Sequence, residues 1–133
     1  MRGGGALFFF CGGVLYPSLE ILFRGRTHPT MALAGALCGL LIYYANALFS
    51  HRSLLFRTLL GALSVLLVEF ILGVSVNLFL GLAVWDYSGE PLQILGQVCL
   101  RYALLWLALS LGLALVIRRL LREIREREGA ENF

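Results

Sequence analysis

A few charged side chains interrupt an otherwise apolar chain, and they are the groups with which it could do chemistry. Glu20, Glu69 and Arg101 each lie within a long apolar segment. An ionised group inside a bilayer is costly unless it faces a partner or water, and such groups often mark transport paths. Because a guanidinium can bind a carboxylate through two N–H groups, Arg101 is the expected partner of Glu69 or Glu20.

Helical spacing extends these charges into polar stripes. Asn77 lies on the same helical face as Glu69, and a second stripe is formed by Gln93, Gln97 and Arg101, which are spaced by four residues. A helix rises about 1.5 Å per residue. At that rise, the same half of the bilayer, the outer one, contains Glu20, Glu69 and Arg101. We therefore expect a shared polar site in that half.

The flanking loops add Arg24, His28 and Asp86 to this candidate binding site. The complete set of candidate substrate- or ion-binding residues is Glu20, Arg24, His28, Glu69, Asn77, Asp86, Gln93, Gln97 and Arg101. A structural alternative stands beside it, in which a buried Arg–Glu pair only locks helices together. In that alternative His28 caps a helix and Asp86 caps a turn.

The elements that position these residues are predicted to be membrane-spanning helices. Of 133 residues, 59% are hydrophobic and only 14% are charged, whereas soluble domains carry about a quarter charged residues. The pattern predicts an all-α polytopic membrane protein in a single domain, residues 1–133. The four transmembrane helices are expected at about residues 5–23, 31–49, 54–84 and 93–117, followed by a charged cytoplasmic helix end at 118–133.

Local signals refine this arrangement. The long third helix would span about 45 Å, so it must tilt, protrude or break, with Gly73 or Gly81 as weak points. An outer interfacial loop is expected at residues 85–92, where Trp85 would join an aromatic belt at the membrane surface. Pro29 suits the first turn of the second helix.

Arginine placement predicts the orientation. With both termini in the cytoplasm, eight arginines lie on the inner side and two, Arg24 and Arg26, on the outer side. The positive-inside rule therefore favours an N-in, C-in protein. We expect a multi-pass protein of the bacterial inner (plasma) membrane.

Composition also excludes several classes of protein. No basic patch is interleaved with aromatic residues, so no nucleic-acid partner is expected. The three cysteines are isolated in apolar segments and are read as buried free thiols, so neither a disulfide nor a metal site is expected. No cofactor is expected, and the chain has no motif of a named enzyme class, which leaves enzymatic activity open but disfavoured.

The stretch "WDYSGEPLQILGQVCLRYALLW" resembles a signature of small bacterial membrane proteins identified as putative ABC-transporter type IV, or putative ABC transporter permeases. The stretches "YPSLEILFRGRTHPTMALAGALCG" and "VEFILGVSVNLFLGL" are similar to the glutamate-containing first and third spans of the same family. The resemblance covers roughly residues 8–110 and implies a transporter. The residues it carries over are Glu20, Arg24, His28, Glu69, Trp85, Asp86, Tyr87, Gly96, Gln97 and Cys99, whereas Gln93 replaces a common asparagine.

Three functions remain open from the sequence. The first is a transport or channel-type protein, expected to be a homo-oligomer, that moves an ion or small polar solute through a charged cavity in the outer half of the bilayer. The second is a membrane-embedded enzyme acting on a lipid or isoprenoid phosphate headgroup, with arginines holding the phosphate. The third is an accessory or scaffold subunit whose polar stripe binds a larger membrane-protein partner. Membrane lipids are expected partners in all three.

Overall fold

A computed structural model of the chain describes residues 2–25 and 27–132, without the side chains of residues 2, 3, 23 and 24. The described residues form four α-helices, α1 (Arg2–Arg24), α2 (Pro29–Leu48), α3 (Leu54–Gly73) and α4 (Leu100–Glu131). All four are long and apolar enough to cross a membrane. The prediction of an all-α polytopic membrane protein is therefore confirmed.

The third and fourth helices are joined by an ordered connection. A π-helical segment, Val74–Phe79, continues α3. It is followed by the connecting loop, residues 80–99, which contains an antiparallel hairpin of β1 (Gln93–Ile94) and β2 (Val98–Cys99). Residues of this loop line one cleft together with Glu20, near the end of α1, and Met31, near the start of α2, so these segments share one end of the bundle. We call it the loop end, and the opposite end, which holds the start of α1 and the last turns of α4, the terminal end.

Two helices, α2 and α3, begin at residues whose side chains satisfy a first backbone N–H group. Nδ1 of His28 accepts a hydrogen bond from the backbone N–H of Thr30 at 3.2 Å, and Pro29 occupies the first helical position of α2. At the start of α3, Oγ of Ser53 accepts from the backbone N–H of Phe56 at 3.2 Å. Both are ordinary N-terminal caps, so the role expected for Pro29 is confirmed.

Small residues bring α1 and α2 into close contact. A methyl group added at Gly35 would collide with the carbonyl of Gly12, and one added at Gly39 would collide with the carbonyl of Phe8. The Gly35–Gly39 pair therefore serves the packing of two helices within the chain. α2 in turn packs against α3 and α4, where Ile42, Val65 and Ile117 lie in the buried core.

Two helix boundaries differ from the predicted ones. The third helix ends at Phe79, short of residue 84, after changing to π-helix at Gly73 and before Gly81 adopts a φ of +68°. The fourth helix begins at Leu100 and not near residue 93, because the preceding residues form the hairpin.

Candidate functional site

The connecting loop is held on α3 by the side chain of Asn77. Its Oδ1 accepts hydrogen bonds from the backbone N–H groups of Val84 at 2.7 Å and Trp85 at 3.4 Å. Its Nδ2 donates to Oε1 of Gln97 at 2.7 Å. From the π-helical segment this amide bonds to two separate parts of the loop, residues 84–85 and Gln97, so Asn77 acts as a structural clamp.

The other two amides of the predicted site also hold the loop. Gln97 is buried, and its backbone carbonyl accepts a hydrogen bond from Nε1 of Trp85 at 3.1 Å. Oε1 of Gln93 accepts from the backbone N–H of Gly96 at 2.6 Å, within the hairpin turn where Gly96 has a φ of +72°. The expectation of a helical stripe through Gln93, Gln97 and Arg101 is therefore wrong. Trp85 is buried within the protein.

Glu69 is buried at the centre of the loop end, with 7% of its surface exposed. The hydroxyl of Tyr87 donates to its Oε1 at 3.1 Å, and Nε1 of Trp106 donates to its Oε2 at 3.3 Å. One carboxylate thus connects α3, the connecting loop and α4. Its donors among the described side chains are neutral, and no described guanidinium bonds to it.

Arg101 lies at the rim of the bundle, where 71% of its side chain is exposed. Its Nη1 is 3.5 Å from Oε1 of Glu90, and its guanidinium lies 5.8 Å from the ring centre of Tyr102. The expectation that Arg101 pairs with Glu69 or Glu20 is therefore wrong. The hairpin moves the start of α4 by seven residues along the chain, from 93 to 100, so Arg101 lies in the first turn and not deep in the span.

A cleft of about 640 Å³ opens between α1 and α4 beneath the connecting loop. Its size is within the range of small-molecule sites. It is lined by Tyr16, Leu19, Glu20, Met31, Trp85, Asp86, Tyr87, Glu90, Tyr102, Leu105, Trp106 and Leu109.

Stacked aromatic rings form much of the cleft wall. Tyr16 of α1 stacks on Trp106 of α4 with ring centres 5.5 Å apart, and Tyr87 stacks on Tyr102 at 4.8 Å. The α4 residues of the wall follow helical spacing, because Tyr102, Leu105, Trp106 and Leu109 recur at intervals of three and four. The wall is therefore an aromatic face shared by two helices and the loop.

Acidic groups give the cleft its electrostatic character. Glu20, Asp86 and Glu90 line it, and none of the lining residues that the structure describes is basic. Hydrogen bonds from the backbone and side chain of Ser88 lower the pKa of Asp86, which keeps this carboxylate ionised. Burial, with the nearby charge of Glu69, raises the pKa of the Tyr87 phenol, which stays neutral.

Glu69 is separated from the cleft by this aromatic wall. A small void of about 10 Å³ touches Glu69 and is bounded by Tyr16, Trp85 and Trp106, which also line the cleft. Such a volume holds roughly one water molecule. Glu69 therefore supports the wall from behind, and only a short displacement of the rings would connect it with the cleft.

The predicted site is only partly assembled. Glu20 and Asp86 line the cleft and Glu69 lies behind it, whereas Arg101 contributes through its contact with Glu90 at the rim. His28 caps α2, and the side chain of Arg24 lies outside the described residues. Within the described residues, no group of three His, Cys, Asp or Glu side chains is arranged to hold a metal ion.

The cleft residues that sequence reasoning missed include Glu90, Tyr102 and Trp106. The two aromatic residues are spaced by four in α4, and the same spacing joins Tyr16 to Glu20 in α1. Aromatic spacing on facing helices was the available signal. The cysteines also differ from expectation, because Cys11 is exposed on α1 while Cys99 is buried, and all three thiols are free.

Comparison with known proteins gives a family. Searches of curated proteins and of solved structures gave no match. Residues 9–130 match the family described as putative ABC-transporter type IV, and this range includes most of α1, all of α2 and α3, the connecting loop and nearly all of α4. Four apolar helices and a match over almost the whole chain agree with one another, and the protein is a member of the putative ABC-transporter type IV family of membrane proteins.

Proposed function

We propose that the protein is a small membrane transport protein that binds an organic cation in the cleft between α1 and α4. The observation that carries this proposal is the lining of the cleft, which combines three carboxylates with five aromatic side chains and, among the described residues, no basic group. Carboxylates attract a cation, and the faces of aromatic rings replace part of its hydration shell.

The same lining argues against the enzyme that would hold a lipid phosphate. That alternative depends on arginines facing a ligand, and Arg101 instead lies beside Glu90 at the rim. A phosphate in the cleft would face Glu20 and Asp86 and would be repelled. A cation is favoured at the same place by the same charges.

The size of the cleft favours an organic ammonium ion over a bare metal ion. A volume of about 640 Å³ is that of a small-molecule site, and Leu19, Leu105 and Leu109 add apolar surface to it. A bare metal ion would need several oxygen ligands close together. An ammonium ion with methyl or methylene groups uses the rings, the leucines and the carboxylates together.

The proposed transport also requires an orientation in the membrane and an assembly of several chains. If the N-in, C-in orientation holds, the loop end and its cleft face the extracytoplasmic side of the plasma membrane. A homo-oligomer would supply the additional helices that a path across the bilayer requires. This is supported by α1, which packs mainly on α2 and leaves Phe10, Val14 and Leu22 exposed.

The test is transport into proteoliposomes that contain the purified full-length chain. Labelled choline and labelled rubidium would be compared as organic and inorganic cations, with labelled acetate as an anion. We expect uptake of choline above that of protein-free liposomes, weaker uptake of rubidium and none of acetate. Glu20→Gln should reduce choline uptake about tenfold, the effect of losing one well-placed charge contact.

The matched control is Glu126→Gln, which removes a carboxylate from the exposed end of α4 far from the cleft. Its choline uptake should equal that of the wild type. Equal uptake in Glu20→Gln and wild type, or uptake of acetate but not of choline, would refute the proposal. A stable complex with a larger membrane protein, together with absent flux of all three probes, would favour the scaffold function.

A further inference from the structure

A second charged group is buried far from the cleft, near the terminal end. Arg57 lies in the first turn of α3, four residues after its cap Ser53, and only 4% of its surface is exposed. Its Nε is buried and has no hydrogen-bond partner among the described residues. Within the same part of the chain, no carboxylate forms an ion pair with this guanidinium.

Loss of a proton does not relieve this burial of charge, because the guanidinium group stays protonated. Arginine stays charged at every physiological pH, and a buried unpaired charge costs several kcal/mol. On α4, which packs against α3, Arg118 directly follows the buried Ile117 and is also positive. Glu123, one turn further along α4, is engaged with Arg119 at 3.3 Å. A negative charge from outside the described chain would compensate this guanidinium.

The depth of the two arginines indicates where that charge comes from. Arg57 lies about 6 Å along α3 from its cap, and Arg118 directly follows the apolar run of α4 that ends at Ile117. Both positions are where a membrane helix leaves the hydrocarbon and enters the headgroup layer. Phosphate groups are the anions of that layer, and basic pockets between helices are known to hold them.

We propose that Arg57 and Arg118 form a phosphate-binding site between α3 and α4 at the terminal end. A phosphate between the two guanidiniums would pair with Arg57 and remove its repulsion from Arg118, which is exposed and meets the ligand first. The phosphate belongs either to a phospholipid headgroup or to free inorganic phosphate. The site is separate from the cleft, so it stands or falls independently of cation transport.

The test is native mass spectrometry and thermal unfolding of the full-length protein in detergent micelles. The micelles would contain phosphatidylglycerol, diacylglycerol as a lipid that lacks the phosphate, or inorganic phosphate without lipid. We expect one phosphatidylglycerol to stay bound per chain and to raise the unfolding temperature, whereas diacylglycerol does neither. Stabilisation by inorganic phosphate at millimolar concentration would identify the free anion as a ligand of the same site.

Variants decide whether the two arginines are responsible. Arg118→Gln should weaken retention of phosphatidylglycerol about tenfold, while Arg127→Gln, on the exposed end of α4, should leave it unchanged. Because Arg57→Gln could fail to fold, Arg57→Lys is the second variant; it keeps the charge, loses the planar fork and should also weaken retention. Equal retention in wild type, Arg118→Gln and Arg57→Lys, or equal retention of diacylglycerol, would overturn the proposal.

Discussion

The hydroxyl of Tyr87 donates a hydrogen bond of 3.1 Å to the carboxylate of Glu69, which joins the connecting loop to the middle of a membrane helix. The second oxygen of the same carboxylate accepts from Trp106 of α4 at 3.3 Å. The buried acid therefore fixes the rings that form the cleft wall.

Removal of the phenol should loosen the loop. Tyr87→Phe leaves one oxygen of a buried carboxylate without its donor, and we expect a loss of about 1.5–3 kcal/mol in the free energy of unfolding. Equilibrium unfolding in detergent micelles measures it. The control is Tyr102→Phe, in which the ring that stacks on Tyr87 loses a hydroxyl but the bond to Glu69 is kept. Equal losses in the two variants would contradict the role of the Tyr87–Glu69 bond.

The buried side chain of Asn77 should contribute strongly to stability. Asn77→Ala removes the acceptor of Val84 and Trp85 and the donor to Gln97. Leaving such groups unsatisfied costs about 1–3 kcal/mol, and the connecting loop should become sensitive to protease. Ser75→Ala is the control, because that exposed hydroxyl bonds only to the carbonyl of Ile71 in its own helix. Protease resistance of the loop in Asn77→Ala would argue against the clamp.

Two glycines offer a matched test of the contact between α1 and α2. Gly35→Ala would push a methyl group into the carbonyl of Gly12, and overpacking of this kind costs about 1–3 kcal/mol. Gly112→Ala meets no neighbouring atom within 4 Å and should instead stabilise its helix by about 0.5–1 kcal/mol. Thermal unfolding of both variants shows whether each substitution raises or lowers stability. A stabilised Gly35→Ala protein would mean that the two helices are less closely packed.

The features predicted correctly depend on local chemistry. Long apolar runs predict helices of membrane length, and Pro29 directly after His28 predicts a helix start. The weak points expected in the third helix also agree, since the α-helix changes at Gly73 and the chain turns at Gly81. Each of these signals lies within a few residues of the structure that it specifies.

The feature predicted wrongly depends on contacts between distant residues. Gln93, Gln97 and Arg101 have helical spacing, but the buried pairing of Gln97 with Asn77, twenty residues away, favours a hairpin over another turn of helix. That hairpin places Arg101 at the rim. The spacing of residues within one segment does not show which distant residue will bond to that segment and change its secondary structure.

Because Arg101 is exposed, its replacement should change the free energy of unfolding only slightly. Arg101→Ala breaks one exposed ion pair with Glu90, and such pairs contribute about 0–1 kcal/mol. We expect a change of that size in the free energy of unfolding, smaller still at high salt because exposed charges are screened. Unfolding at low and high ionic strength measures both. A loss of about 3–5 kcal/mol, the effect of breaking a buried pair, would show that Arg101 reaches a buried carboxylate after all.

Asp86 should make stability depend on pH in the acidic range. Hydrogen bonds from Ser88 lower the pKa of this carboxyl in the folded protein, so its stabilising effect is present above the ordinary value of about 3.9 for aspartate. The effect is lost as the pH falls through the lowered pKa, because the folded state must then take up the proton that the unfolded state already holds. Asp86→Asn keeps an oxygen that can accept from Ser88 but does not titrate. The unfolding midpoint of the wild type should therefore fall relative to that of Asp86→Asn as the pH is lowered, and parallel curves would show that Ser88 does not stabilise the ionised form.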